Sequence, residues 1–109
     1  MPHCIIEYAA PLKNKISVED LVDIVFTATA ESGLFDVSSI KARAIEVAYF
    51  KTGATEQNFV TTTIKLLPGR TVAQKKALGE AVLAVKQSQL KGKALLNVEV
   101  VDLAEAYFK

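Results

Sequence analysis

The chain has 109 residues, half of them hydrophobic, with 13 Lys+Arg against 12 Asp+Glu and a formal charge of +1. That is one domain (1–109), and with neither sign of charge gathered into a block it argues against nucleic-acid or membrane-surface binding and for a small organic partner. A single cysteine, Cys4, allows neither an internal disulfide nor a cysteine metal site, and without a leader or an apolar run near the roughly 20 residues that span a bilayer the expected location is cytoplasmic.

Residues 2–8 (PHCIIEY) read as a short apolar strand, and 9–16 (AAPLKNKI) as a polar loop broken by Pro11. Ser17 is a good N-cap with Asp20 at the third helical position, and Val18, Leu21, Val22, Val25 and Thr29 line one face of the helix that follows, up to Gly33. Residues 40–50 (IKARAIEVAYF), rich in β-branched and aromatic side chains, read as a strand; 51–58 form a turn around Gly53, and 59–67 (FVTTTIKLL) the next strand. Thr71 and Gln74 have capping-box spacing at the start of a second helix with an apolar stripe of Ala77, Leu78, Ala81, Val82 and Val85. Gly92 closes it, and 95–101 (LLNVEVV) read as a fourth strand.

The order is β-α-β twice, a duplication over about 1–50 and 58–103. Right-handed crossovers then place both helices on one face of a four-stranded mixed sheet, an α/β (α+β) fold. The other face lacks a cover, and apolar residues on it imply burial by further copies of the chain. The same element order also describes a ferredoxin-like sandwich.

The inventory of reactive groups is short. There is one histidine, and no nucleophile triad, phosphate-binding glycine loop or HExxH pattern. His3 reads as a structural strand residue, and Cys4, in step with Pro2 and Ile6, as a core thiol. Pro2 is different. A small second residue permits removal of the initiator methionine, which turns Pro2 from an ordinary start into a terminal secondary amine. An α-amine titrates near 8, burial or nearby cations lower that value, and a fixed φ aims the nitrogen, so such an amine can work as a base. Lys41 and Arg43 share strand parity and emerge on one sheet face about 7 Å apart. Arg70 precedes the N-cap Thr71, where a helix dipole already favours an anion. Three such donors suit a dicarboxylate; the alternative is that Lys41 and Arg43 snorkel to the edge or pair with Glu7 or Glu46.

MPHCIIEY, GLFDVSSIKAR, the GRT lead-in to the second helix and the final AYFK, taken in order along nearly the whole chain, resemble the 5-carboxymethyl-2-hydroxymuconate Δ-isomerase family of the tautomerase superfamily. The resemblance implies the duplicated β-α-β fold and a homotrimer whose sheets form an inner barrel-like core. It also implies isomerisation without a cofactor, in the catabolism of aromatic compounds: Pro2 takes the 2-hydroxyl proton of a dienol acid and returns a proton to carbon, giving the 2-oxo-3-enoate. Arg43 and Arg70 match arginines of the family that hold the carboxylate substrate and steady the enolate. Lys41 stands where the family has another arginine, keeping the charge but losing the bidentate fork. That departure leaves two further readings, a promiscuous enol–keto tautomerase with a different substrate and a non-catalytic trimeric binding module.

Overall fold

Both helices start where side-chain oxygens cap them. In the computed structural model, which describes residues 1–109, Ser17 Oγ accepts from the Asp20 amide at 3.2 Å and opens α1 (Val18–Glu31). Thr71 and Gln74 exchange both bonds of a capping box, at 3.1 and 2.8 Å, and open α2 (Val72–Leu90). Each helix is followed, two residues past its end, by a glycine in the left-handed region: Gly33 at φ +73° and Gly92 at +74°. The matching stops repeat the duplication at the level of backbone geometry.

The strands are β1 (His3–Ala9), β2 (Lys41–Val47), β3 (Phe59–Leu66) and β4 (Leu95–Asp102). They lie in the order β2-β1-β3-β4, with β1 parallel to β2, β3 parallel to β4, and β1 antiparallel to β3. Each β-α-β unit therefore pairs its own two strands directly. This excludes the ferredoxin-like alternative, whose split units have another strand between the pair. The expected strand over 40–50 stops at Val47 because its partner β1 stops at Ala9. Beyond it Tyr49 is 95% exposed, while Phe50 turns back edge-on to Phe59 with ring centroids 5.1 Å apart. The expected loop after β1 contains a 3-10 turn, Ala10–Asn14, that buries Leu12. No helix is long and apolar enough to cross a membrane.

Alternation along the strands sorts side chains between two faces. Cys4, Ile6 and Tyr8 of β1 meet Val60, Ile64 and Leu66 of β3 beneath Leu21 and Val25 of α1 and Leu78 and Val82 of α2. Truncating one of these, as in Leu78→Ala, costs about 2–5 kcal/mol by the usual cavity penalty. Cys4 is fully buried with its Sγ 3.5 Å from Thr29 Oγ1, and burial pushes the thiol up from its ordinary range, as a core thiol requires. The opposite sheet face has no helix over it. Its register rows run Lys41, His3, Lys65, Val101 and Arg43, Ile5, Thr63, Glu99, followed by Ile45, Glu7, Thr61, Asn97. This face is more polar than the sequence reading expects: Ile5, Ile45, Phe59, Leu95 and Val101 lie among threonines and charges.

One core position breaks the apolar pattern. Lys86 of α2 is wholly buried, with its ammonium donating to Thr62 Oγ1 at 2.8 Å, the Asn97 carbonyl at 2.8 Å and the Val60 carbonyl at 3.1 Å. Every N–H has an acceptor, yet no carboxylate balances the charge. Burial pushes this lysine down from an ordinary 10.5 to about 8. The unfolded chain then binds the proton more tightly than the folded one, so the cost to stability is fully present below pH 8 and is relieved as pH rises from 8 to 10.5. Relative to Lys86→Met, wild-type stability from urea unfolding should climb between about pH 8 and 10.5, by up to roughly 3 kcal/mol. A pH-independent difference between the two proteins contradicts the burial of an uncompensated ammonium.

Candidate active site

The site begins with the way β1 starts. The first ladder residue is His3, so Pro2 lies one step ahead of the positions that need a donating amide. Pro2 is buried, and its carbonyl accepts from the Lys41 amide at 3.0 Å, which ties the head of β1 to the head of β2. The chain ahead of it is also held: the Met1 ammonium donates to the Ser39 carbonyl at 2.8 Å and Ser39 Oγ donates to the Met1 carbonyl at 3.4 Å. Ser39 closes the short 3-10 turn Val37–Ser39, itself capped by Asp36, whose carboxylate accepts from the Ser38 amide at 3.1 Å.

Cations from separate segments surround this end of the sheet. Lys41 and Arg43 project from β2 on the helix-free face, both exposed, as their shared parity predicts. Arg70 arrives from the turn before α2; it donates from Nη2 to the Leu34 carbonyl at 2.7 Å and lies 4.9 Å from the centre of the Phe35 ring. One edge of that guanidinium is thereby fixed and its orientation set. The two ion pairs of the chain are Lys13 with Glu46 and Lys75 with Asp102, at 3.1 and 3.3 Å. Pairing of Lys41 or Arg43 with Glu7 or Glu46 is therefore not what the fold does: Glu46 is taken by Lys13 and by the Tyr8 hydroxyl at 3.4 Å. Partial burial, and after it the charges of Lys41, Lys109 and Arg70, hold the α-amine below its ordinary 8.0, with Asp36 opposing.

Pro2, Lys41, Arg43 and Arg70 thus come to one end of the sheet. Lys109 joins them from the segment after β4, which is led off by a bond from the Leu103 amide to the Leu66 carbonyl at 2.7 Å. His3 also takes part. Arg43 Nη1 donates to His3 Nδ1 at 3.3 Å, and His3 Nε2 lies 3.0 Å from the Tyr107 hydroxyl. Sequence reading quotes Tyr107 and Lys109 within the final AYFK but gives them no role, because residues 103–109 have no periodicity to place them. No set of three or more His, Cys, Asp or Glu is gathered to hold a metal ion. With Lys41 and Arg43 exposed, the site in a single chain is an open edge rather than an enclosed cavity.

A family model described as CHMI, 5-carboxymethyl-2-hydroxymuconate isomerase, matches residues 2–103. No curated protein sequence matches the chain. Among solved structures, a 5-carboxymethyl-2-hydroxymuconate isomerase from Deinococcus radiodurans R1 is similar at a TM-score of 0.85 and 24% identity, over 99% of this chain and 87% of that one. A 5-carboxymethyl-2-hydroxymuconate delta-isomerase gives a TM-score of 0.87 at 14% identity, over 100% and 87%. A fused 4-OT, described as a symmetric trimer, gives 0.73 at 20% identity, over 97% and 89%. At such identities the structural likeness speaks for the fold.

The Arg43 contact sets the state of His3. A guanidinium can only donate, so Nδ1 must carry the lone pair and the proton sits on Nε2. Burial first, then Arg43 and Lys41, hold the imidazole below its ordinary 6.5. Nitrogen-detected NMR should find the Nε2–H tautomer and a titration midpoint below 6.5; an Nδ1–H tautomer, or a midpoint at or above 6.5, contradicts the contact.

Proposed function

Because the chain belongs to the 5-carboxymethyl-2-hydroxymuconate isomerase family, we propose that it is a cofactor-free isomerase that moves a proton on an unsaturated 2-hydroxy dicarboxylate or tricarboxylate such as 5-carboxymethyl-2-hydroxymuconate. The observation that carries this reading is the meeting of Lys41, Arg43 and Arg70, none with a carboxylate partner, at the buried start of β1. Cations without internal counter-ions are suited to bind an anion from outside.

In this mechanism removal of Met1 turns the Pro2 nitrogen into a secondary amine. The burial and cations that lower the Met1 α-amine bear on the Pro2 amine too, which favours its neutral, proton-accepting form. The neutral amine takes the 2-hydroxyl proton of the dienol. The O–H electron pair forms the carbonyl, the double bonds shift along the chain, and the distal carbon takes the proton back from the proline aminium. Arg43 and Lys41 hold carboxylates, and the unoccupied N–H groups of Arg70 face the charge that gathers on the enolate oxygen. Lys41 contributes a point charge where a fork would fix a carboxylate in one plane, which favours some latitude in the acid accepted. The same reading makes the protein a homotrimer: the helix-free sheet face needs a cover and the exposed cations need a wall opposite them, and one of its structural neighbours is described as a symmetric trimer.

Mass spectrometry of the purified protein should show Met1 absent. Pro2→Ala, which keeps a terminal amine but loses the ring, should lower kcat on a dienol dicarboxylate by about 100-fold or more. Arg43→Ala should raise KM for that substrate about tenfold with a smaller change for an enol that lacks carboxylates. Unchanged turnover in Pro2→Ala would remove the acid/base role, and equal losses for charged and uncharged enols would remove the carboxylate-binding role.

A further inference from the structure

Four residues from three separate segments form a hydrogen-bonded line at the edge of the site. Arg43 Nη1 donates to His3 Nδ1 at 3.3 Å, His3 Nε2 and the Tyr107 hydroxyl are 3.0 Å apart, and the Tyr107 hydroxyl donates to Met1 Sδ at 3.1 Å. The direction of the whole line follows from its first member. Arginine has no acceptor, so His3 Nδ1 accepts; the neutral ring then carries its proton on Nε2 and gives it to the tyrosine oxygen. With that oxygen occupied as an acceptor, the Tyr107 O–H is left to act as a donor, aimed at the atom that Met1 Sδ occupies. A hydroxyl that already accepts a hydrogen bond is polarised into a better donor. Its present acceptor, a thioether sulfur, is among the weakest available.

We propose that Tyr107 is a further substrate-binding residue of this site, its hydroxyl donating to a carboxylate oxygen that takes the place of the Met1 sulfur. The inference rests on the reading that Met1 is removed, and it adds a donor from a segment, 103–109, that motif spacing leaves unassigned. Three features favour an anionic oxygen as the natural acceptor. A charge-assisted bond from O–H to carboxylate is about twice as strong as a neutral one. Arg43 heads the line, Lys41 stands near it, and Lys109 follows Tyr107 by two residues and, like Lys41, bears on the Met1 amine. The tyrosine is also held without its hydroxyl: it is half-buried and its ring packs edge-on to His3, with centroids 6.0 Å apart at 76°. His3 is the positioning residue in this arrangement, since it fixes the hydroxyl's direction without reaching the ligand.

Tyr107→Phe keeps the ring and deletes the donor. The test titrates cis,cis-muconate, an unsaturated dicarboxylate with no enol to react, into wild-type and Tyr107→Phe proteins by calorimetry, after the N-terminal mass of each is recorded. Loss of one charge-assisted hydrogen bond should raise Kd about tenfold. A rise of less than about threefold, wild-type protein that does not bind muconate, or purified protein that retains Met1 each overturns the assignment. Turnover of a dienol acid by Pro2→Ala, measured alongside, separates this inference from the one beneath it. Weakened muconate binding in Tyr107→Phe together with full activity in Pro2→Ala sinks the proline mechanism and keeps Tyr107 as a ligand, and the converse pair of results does the reverse.

Discussion

The parallel ladder between β1 and β2, opened by the bond from the Lys41 amide to the Pro2 carbonyl at 3.0 Å, decides where the beginning of the chain lies. Because β3 pairs with the other edge of β1, the strand is interior and cannot slide along either neighbour without loss of both ladders. Its register is fixed by what it buries: Cys4, Ile6 and Tyr8 face the helices, so Pro2, in step with them, is buried as well. A slip of one residue would send all four to the opposite face. The same register sets His3 beside Lys41 and Ile5 beside Arg43, so core packing on one side of the sheet dictates which charges stand near Pro2 on the other.

The fold carries its isolated cations in two ways. Lys86 is sealed in the core and all three of its N–H groups are consumed by neutral oxygens, which leaves nothing to offer a ligand. Lys41, Arg43 and Arg70 are at an open edge without internal counter-ions. Arg70 gives one nitrogen to the Leu34 carbonyl and rests on Phe35, so part of the entropy cost of holding it in place is met before any substrate arrives. Arg43 is steadied in a similar way by His3. A cationic rim of this kind favours an anion and, after burial, helps to depress the α-amine; in the proposed mechanism both effects serve proton transfer from an enol acid.

Much of this is legible in the residues. Ser17, Thr71 and Gln74 announce the two helices, and strand parity alone puts Lys41 and Arg43 together on one face. The strand order is not legible, since local periodicity says which residues are extended and not which neighbour they choose; hence the ferredoxin-like alternative, which the direct pairing of β1 with β2 rejects. Residues 48–50 read as strand because Tyr49 and Phe50 favour it, yet a strand ends where its partner ends. Lys86 is invisible for a different reason: a lysine in a helix reads as a solvated position unless the acceptors Thr62 and Asn97, from two separate strands, are known to lie beneath it. Tyr107 and Lys109 belong to an irregular segment, and only tertiary structure brings such a segment to Pro2.

The proposed mechanism requires residue 2 to supply a neutral amine at working pH. NMR titration of protein labelled with nitrogen-15 proline measures this directly at the residue 2 nitrogen. A free secondary amine titrating clearly below about 8, the ordinary value for an α-amine, is the expected result. A midpoint at or above that value, or an amide signal in place of an amine, would contradict it.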